Sequence, residues 1–226
     1  MDTEDGTVPL DKSFEETLEH HGRSYQKHAV TNGVYFGPVD EEEVAHLELM
    51  HSVLCRLFDG RLIFPPVNEP KRILDCGFGA GDWALDVARA YPDCEVIGVD
   101  ICPNMIPEDQ PENLVFQIDD LNARFTFSSG QFDVVHSQMM SGGINASRWH
   151  GYIQDIFRVL RPGGSANAEN VAQLLHSLAL YPFTNLQKVP LDPFMSLIKD
   201  AREEAANPLY KAYFPLYVCI GRKPEA

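Results

Sequence analysis

The spacing of apolar and polar residues divides the chain into two parts that meet near residue 66. In the first part, a charged and partly apolar stretch predicts a helix over residues 13–29, and a second helix follows Asp40. Asp40 and Glu43 have the spacing of a capping box, in which acidic side chains face the first amides of a helix. Apolar residues recur on one face of the second helix, and Gly60 lies where a helix would end.

Short apolar runs alternate with amphipathic stretches after residue 66. The runs predict strands at residues 72–76, 95–99, 114–118 and 132–136. The amphipathic stretches predict helices at residues 82–91 and 147–160. Strands separated by helices and short loops are typical of a mostly parallel α/β sheet.

The C-terminal part of the chain follows a different pattern. Arg161-Pro162-Gly163-Gly164 predicts the end of the preceding helix, and residues 165–170 are too polar for a buried strand. Residues 169–180 and 193–206 predict helices, and residues 213–220 predict a final strand.

These patterns divide the chain into four regions. Residues 1–12 form an acidic tail that we expect to be disordered, and residues 13–66 form an N-terminal helical lid. Residues 67–164 form the α/β core. Residues 165–226 contain the C-terminal helices and the final strand.

Composition and charge narrow the choice of function. Of the 226 residues, 44% are hydrophobic, and 18 basic residues against 33 acidic ones give a formal charge of -15. An acidic surface repels phosphate, so neither nucleic acid nor an anionic membrane is an expected partner. No apolar run approaches the roughly 18 to 20 residues of a membrane span. The acidic N-terminus lacks the features of a signal peptide, so we expect a cytoplasmic or nuclear protein.

The cysteine and histidine spacing predicts no metal site. The five cysteines are odd in number, scattered and without a C-x-x-C pair, which favours reduced thiols over disulfides or zinc ligands. His20, His21 and His28 have no convincing fourth partner and are read as part of a solvated helix face.

The strongest chemical signal is the glycine-rich loop Asp75-Cys76-Gly77-Phe78-Gly79-Ala80-Gly81-Asp82, which follows the first strand of the core. Glycines at alternate positions let a ligand approach the backbone and expose the first amides of a helix to it. The second strand ends in Asp100, roughly 20 residues after the loop, where nucleotide-binding α/β folds place an acid that accepts from ribose hydroxyls. A tight turn followed by a solvated aspartate is the alternative reading.

Asp82 favours one cofactor class over another. Dinucleotide-binding loops have the pattern G-x-G-x-x-G, whereas Asp82 follows Gly81 directly in this chain. A carboxylate there would repel a pyrophosphate but would tolerate a cationic sulfonium. The loop therefore favours S-adenosylmethionine over NAD.

From about residue 23 to residue 164, the chain resembles the class I S-adenosylmethionine-dependent methyltransferases, and specifically the fungal LaeA-like group linked to secondary metabolism. The matching stretches are Gly22-Arg23-Ser24-Tyr25, Asp40-Glu41-Glu42-Glu43, residues 73–88, Tyr91-Pro92, residues 96–100, Ile118-Asp119-Asp120-Leu121, residues 132–136 and residues 160–164. Residues 181–184 and 212–223 resemble the C-terminal end of the group. The resemblance implies a Rossmann-like sheet, mostly parallel, with an antiparallel C-terminal strand.

The resemblance also implies a pocket for S-adenosylmethionine. Its residues would be Tyr25, Asp75, Gly77, Gly79, Gly81, Asp100, Ile101, Asp119, Asp120, Leu121, His136 and Ser137. The glycines and Asp75 would lie along the methionine moiety, and Asp100 would bind the ribose. Ile101 would pack on the adenine, and the segment from Asp119 to Leu121 would contact its amino group and edge.

The remaining pocket residues have two readings each. His136 and Ser137 would form the floor near the reactive methyl, and His136 would be the general base; the alternative is a satisfied core histidine. Tyr25 would lie in the lid over the cofactor or would simply pack its own segment. Asp119 and Asp120 would otherwise form a solvated turn before Asn122.

The chain departs from the family pattern after Gly164. The fifth strand of the fold is expected there as an apolar run, and residues 165–170 do not supply one. The sequence therefore predicts that the fifth strand is missing. Without it, the final strand would pair directly beside the fourth, or an edge would be left open.

Three functions follow from these observations. The first is a methyltransferase that acts on a small-molecule acceptor, by default a hydroxyl of a fungal secondary metabolite. The second is a non-catalytic regulator that works through a protein partner or as a homodimer. The third is a methyltransferase fold that catalyses another reaction, whose products carry no added methyl group.

Overall fold

A six-stranded sheet with helices on both faces forms the core of the molecule. The computed structural model describes residues 7–170, 180–205 and 217–225. The strands are β1 (Thr17–His20), β2 (Arg23–Gln26), β3 (Arg72–Cys76), β4 (Glu95–Asp100), β5 (Leu114–Ile118), β6 (Phe132–Gln138), β7 (Leu160–Asn170) and β8 (Tyr217–Arg222). The helices are α1 (Lys27–Thr31), α2 (Glu41–Leu57), α3 (Asp82–Ala90), α4 (Trp149–Val159) and α5 (Leu191–Ala205).

The strand order in the sheet is β5-β4-β3-β6-β7-β8. All neighbours are parallel except β7 and β8, which are antiparallel. This arrangement confirms the predicted mostly parallel sheet with an antiparallel C-terminal strand. Because the chain order reverses between β3 and β6, the carboxyl ends of β3, β4 and β6 meet at one edge, where open α/β sheets bind their ligands.

Each face of the sheet has its own apolar core. On one face, β3 and β4 place Ile73 and Val96 against α3, which buries Trp83 and Val87. On the other face, residues of the same strands pack against Tyr152 and its neighbours in α4. Side chains of successive strand residues point to opposite faces, which explains why these strands are almost continuously apolar.

Asp133 joins three strands at the opposite end of the sheet. It is 3% exposed, and its Oδ2 accepts from the amides of Lys71 (2.5 Å) and Arg72 (2.9 Å). Its other carboxylate oxygen pairs with Arg161 at the start of β7. These contacts fix the relative position of β3, β6 and β7.

The helix predicted over residues 13–29 is wrong. A short 3₁₀ turn at Lys12–Glu15 is followed by an antiparallel hairpin of β1 and β2 and then by α1. His21 and Gly22 both have positive φ, of 50° and 77°, as a two-residue hairpin turn requires. The predicted helix after Asp40 is confirmed as α2, and Asp40 caps it by accepting from the amide of Glu43 at 3.0 Å.

The predicted absence of a fifth strand is also wrong. Residues 160–170 form β7, which pairs in parallel with β6 and antiparallel with β8, so the final strand does not lie beside the fourth. Arg161-Pro162-Gly163-Gly164 lies inside this strand, where the pairing of β7 with β6 shifts register and Gly163 has a φ of 76°. The predicted helix is confirmed as α4, which ends at Val159 directly before this motif, and the proline and glycines form a bulge in the strand that follows.

Small polar residues replace the expected apolar run in β7. Ser165 and Asn167 are 4% and 1% exposed, and Asn167 Nδ2 lies 2.8 Å from Nδ1 of His136, its register partner in β6. Strand hydrogen bonds on both sides satisfy the backbone, and a partner in the neighbouring strand satisfies the buried Asn167 amine. Asn167 Oδ1 has no hydrogen-bond partner among the described residues, so the polar strand is held by its pairing with β6 and β8 and by the contact with His136. These partners lie far away in sequence, so the local pattern does not reveal them.

The other C-terminal predictions have mixed outcomes. The helix predicted over residues 193–206 is confirmed as α5, which begins two residues earlier. Three other predictions fall partly outside the described residues. These are residues 171–179 of the helix predicted over residues 169–180, residues 213–216 of the predicted final strand, and residues 1–6 of the predicted tail. Among the described helices, none has both the length and the apolar composition to cross a membrane.

Candidate functional site

A cleft opens at the carboxyl ends of β3 and β6, between the glycine loop and helix α2. Its volume is about 80 Å³. Of the predicted pocket residues, it is lined by Asp75, Gly77 and Gly79, from β3 and the loop. Leu47, Met50 and His51 of α2 line the opposite side, and Gln138 and Met139 close the end of β6. The remaining lining residues follow the glycine loop into α3; they are Phe78, Ala80, Asp82 and Trp83.

The loop needs its three glycines for conformational reasons. Gly77, Gly79 and Gly81 have φ angles of 82°, 58° and 85°, a region that residues with a side chain adopt rarely. A Cβ on Gly77 would also collide with the thioether of Met140. Gly77 and Gly79 thus present backbone to the cleft in a form that only glycine provides at low cost, whereas Gly81 is buried and a Cβ on it would meet Phe116 and Pro107.

Asp100 lies beside the loop, at the end of the adjacent strand β4. Its Oδ2 accepts from the amide of Gly79 and its Oδ1 from the amide of Cys102, both at 3.0 Å. Burial raises the pKa of this carboxyl, and the amide hydrogen bonds oppose the rise. The carboxylate thus fixes the glycine loop relative to β4.

The structure brings the predicted adenine contacts to the next strand end. The amide of Asp119 donates to the carbonyl of Asp100 at 3.0 Å, which joins the ends of β4 and β5. Asp120 Oδ1 accepts from the amide of Asn122 at 2.8 Å. Asp119 and Asp120 therefore do precede a turn, as the alternative interpretation of these two residues expected. Leu121 is 6% exposed and packs in the core between the sheet and α4. Ile101, which directly follows β4, packs in a separate cluster with residues of the N-terminal region, including α2.

Tyr25 lies on β2, within contact distance of Tyr181. Its ring is fully buried, with its centroid 5.1 Å from that of Tyr181. Its hydroxyl has no hydrogen-bond partner among the described residues, and burial raises the pKa of Tyr25 to about 12. The adjacent Gln26 donates to the carbonyl of Ile101 at 3.4 Å, which places this end of β2 against the end of β4.

These observations fit an adenosine-containing cofactor. The glycine loop is a cradle that a Cβ would fill, and the carboxylate beside it has the chemistry that ribose hydroxyls require. The buried hydroxyl of Tyr25 is a polar atom in the lid that the described residues leave unsatisfied. Such groups usually have a partner in the functional state.

His136 does not have the environment of a general base. It is fully buried, and its ring stacks on Trp83 with centroids 3.7 Å apart. Nδ1 lies 2.8 Å from the amide nitrogen of Asn167, and Nε2 lies 3.3 Å from Oε1 of Gln138. A base must present a free nitrogen to its substrate. The prediction of a catalytic role is therefore replaced by that of a core histidine that holds β6, β7 and α3 together.

Ser137 faces the other side of the sheet. It is 5% exposed, and its hydroxyl shares a hydrogen bond of 2.7 Å with that of Tyr152 in α4. Since successive strand residues point to opposite faces, His136 and Ser137 cannot both form one floor through their side chains. Gln138, one residue further along, reaches the cleft instead.

We expect His136 to remain neutral from pH 8 to pH 5. Burial lowers the pKa of His136 to about 3, despite its contact with Gln138. Its folded pKa thus lies below the unfolded value of about 6.5, so its contribution to stability is fully present above pH 6.5. Between that pH and the folded pKa, the contribution falls by about 1.4 kcal/mol per pH unit. The imidazole proton resonance of His136 is assigned in an NMR spectrum as the one that is absent from the spectrum of His136→Gln. Its chemical shift should not change between pH 8 and pH 5. A titration of that resonance near pH 6.5 would contradict the assignment.

Sequence reasoning missed the side of the cleft that α2 provides. Leu47, Met50 and His51 follow a spacing of three and one, so they share one face of the helix. The apolar face of α2 was recognised, but the sequence alone does not tell which neighbour that face covers. Only the contact of α2 with the glycine loop identifies these residues as cleft residues.

Comparisons with known proteins agree with this geometry. Residues 73–164 match a family model described as a methyltransferase domain. The chain is 34% identical over 206 residues to the secondary metabolism regulator laeA of Monascus pilosus, which covers 89% of this chain and 53% of that protein. It is 36% identical over 148 residues to the protein-methionine methyltransferase laeA of Emericella nidulans, which covers 64% of this chain and 38% of that protein.

A solved structure gives a weaker match. A chain of the Haloferax volcanii complex that contains the Trm112 methyltransferase activator aligns with a TM-score of 0.49 and 23% identity, over 58% of this chain and 57% of that chain. The chain described here spans only about half, or less, of the length of the curated relatives it matches.

Proposed function

We propose that this chain, which belongs to the LaeA-like group of class I methyltransferases, binds S-adenosylmethionine in the cleft beside the glycine loop and transfers its methyl group to a small organic acceptor. The observation that carries the proposal is the contact between Asp100 and the amide of Gly79. It joins the two features that a methyltransferase needs for its cofactor, a side-chain-free loop and a carboxylate at the end of the neighbouring strand.

The roles of the residues follow from their positions. Asp100 would exchange part of its amide contacts for the ribose hydroxyls, and the loop from Gly77 to Gly81 would lie along the methionine moiety. Asp119 and Asp120 would accept from the adenine amino group, next to Ile101. The hydroxyl of Tyr25 would gain its missing partner when the lid covers the cofactor.

The chain has little chemistry to perform beyond alignment. A sulfonium supplies an activated methyl group, and the transfer is an in-line displacement by a nucleophile held at the correct distance. A hydroxyl acceptor must also lose a proton, and His136 is fully buried with both ring nitrogens in contact with amides. O-methylation therefore requires an acceptor that is acidic enough to ionise, such as a phenol, or a base other than His136.

A methionine side chain of a protein is the second candidate acceptor. The relative from Emericella nidulans carries the name protein-methionine methyltransferase. A thioether has no proton to lose, so its methylation needs no general base, which agrees with the sequestered ring of His136. The regulator hypothesis loses one of its two original observations, because β7 is present. It keeps the formal charge of -15, and the relative from Monascus pilosus carries the name of a regulator.

The test is transfer of a labelled methyl group to separated acceptor pools. The purified chain is incubated with S-adenosylmethionine labelled in its methyl group and with a fungal extract divided into small-molecule and protein fractions. We expect label in the small-molecule fraction, loss of this label in Asp100→Ala, and no change in Asp93→Ala, which alters an exposed residue at the opposite end of β4.

Each of the other possible results of the labelling experiment favours one of the alternative functions. Label in the protein fraction would overturn the small-molecule proposal in favour of the protein acceptor. Cofactor binding without label in either fraction would favour the regulator. Consumption of a small molecule without label in the product would favour the third reading, a reaction other than methyl transfer.

A further inference from the structure

A cluster of three different metal-ligand side chains lies where α2 packs on α3. His51 and Cys55 are one turn apart on α2, and Asp86 projects from α3. His51 Nε2 is 2.9 Å from Asp86 Oδ2 and 3.3 Å from Cys55 Sγ, and the three potential ligand atoms lie within 4.8 Å of one another. All three residues are half-buried, so an ion could reach them and still be partly enclosed.

We propose that His51, Cys55 and Asp86 bind a divalent transition metal of the zinc type. An imidazole, a thiolate and a carboxylate are all ligands of zinc, with bonds of about 2.0 to 2.3 Å that give tetrahedral ligand separations of roughly 3.3 to 3.5 Å. The two separations from Nε2 lie within a few tenths of an ångström of these values. The thiol favours zinc or cobalt over magnesium or calcium, which prefer oxygen ligands.

The hydrogen-bonding capacity of the ring supports a cation at this point. Nε2 of His51 can either donate one hydrogen or accept with one lone pair, yet Asp86 and Cys55 both converge on it. A proton satisfies one of these contacts well and the other poorly. A metal ion among the three atoms would bind all of them at once.

The charge around the cluster points in the same direction. Glu48 of α2 and Asp82 of α3 lie close enough to add to the negative potential. Burial raises the pKa of Asp82, and Glu48 and Asp86 raise it further, whereas His51 lowers it. Arg89 Nη1 lies 3.7 Å from Asp86 Oδ1 and offsets part of this negative charge, and a divalent cation would offset more of it.

The site would connect the lid to the cofactor cleft. His51 lines the cleft from α2, and α3 begins directly after the glycine loop. Three protein ligands leave a fourth position for water. A bound ion would therefore hold the cleft wall formed by α2 against the helix that begins at the loop, independently of whether S-adenosylmethionine is the cofactor.

Cobalt titration of the chain, stripped of metal by a chelator, tests the proposal. We expect about one Co²⁺ to bind per chain, with the near-ultraviolet band of a cobalt–thiolate bond and the intense visible bands of a tetrahedral site, and Zn²⁺ to displace it. Cys55→Ser should lose the thiolate band and weaken binding by more than the roughly 10- to 100-fold that loss of an outer partner costs. Cys219→Ser, which alters an exposed cysteine on β8, should bind like the original chain.

A second variant keeps the proposal falsifiable if Cys55→Ser does not fold, which circular dichroism reports. Asp86→Asn changes a partly exposed carboxylate on α3 and should weaken Co²⁺ binding by at least tenfold while the thiolate band persists at saturation. Absence of saturable binding to the folded chain would overturn the proposal. So would a thiolate band that survives Cys55→Ser, or equal affinity of Asp86→Asn and the original chain.

Discussion

Replacing Asp100 by alanine is expected to weaken the binding of S-adenosylmethionine by about 100-fold or more. Hydrogen bonds to a charged acceptor contribute roughly 1.5 to 3 kcal/mol each, and the carboxylate offers one oxygen to each ribose hydroxyl. The same substitution removes the acceptor for the amides of Gly79 and Cys102, so the glycine loop also loses its fixed position. Equilibrium dialysis with labelled cofactor measures the affinity.

Two further variants separate the causes. Asp100→Asn keeps one oxygen of the side chain, so it should lose less affinity than Asp100→Ala. Asp93→Ala should bind like the original chain, because this residue is exposed at the other end of the sheet. An unchanged affinity in a folded Asp100→Ala variant would show that the cofactor does not use this strand end.

Replacing Arg23 by methionine is expected to lower the free energy of unfolding by about 3 to 5 kcal/mol, the usual cost of leaving a buried charge without its partner. The Arg23 side chain is 7% exposed, and its guanidinium donates to both oxygens of Asp40 at 2.8 Å and to Glu43 at 3.3 Å. Asp40 caps α2, and Glu43 is 2% exposed. The variant would therefore weaken the attachment of α2 to the hairpin. Urea denaturation at pH 7 measures the change, and Arg56→Met, on an exposed position of α2, is the matched control.

The pH dependence of the unfolding free energy distinguishes the loss of the Arg23–Asp40 ion pair from a simple loss of packing. Burial would raise the pKa of Asp40, but the hydrogen bonds from Arg23, Ser24 and Glu43 outweigh it and the pKa is lowered. The stability gained from Asp40 is thus present above its unfolded pKa of about 3.9 and is lost as the pH falls through the lower folded value. The difference between the original chain and Arg23→Met should shrink below pH 4. A difference that is the same at pH 3 and pH 7 would contradict an electrostatic origin.

The sequence predicts the cofactor half of the fold well because its signals are local. Residues 73–76 are apolar except for Asp75, and residues 96–99 contain only apolar residues and one glycine, which is typical of strands buried on both faces. The three glycines and Asp100 follow these runs directly, so their meeting at one edge of the sheet follows from the parallel arrangement alone.

The features that were wrong depend on partners that are distant in sequence. Asn167 is stable in a buried strand because His136 lies opposite it, 31 positions earlier in the chain. The polarity of residues 165–170 therefore does not exclude a strand. The hairpin of β1 and β2 had a local signal, His21-Gly22, which the charged composition around it obscured.

Two features of the site could not be predicted from a single segment of the sequence. The period of two along β6 could have separated His136 from Ser137, but it does not say which of them faces α3. The His51, Cys55 and Asp86 cluster combines a pair on one helix with a residue of another, so a search for ligand spacing along the chain does not find it.

Calorimetric titration of the purified chain with S-adenosylmethionine and with its demethylated product tests the central claim most directly. If the glycine loop, Asp100 and the lid form a cofactor site, both ligands should bind saturably in the micromolar range at about one site per chain. A folded chain that binds neither ligand at millimolar concentration would contradict the claim that this cleft is the site of a methyltransferase cofactor.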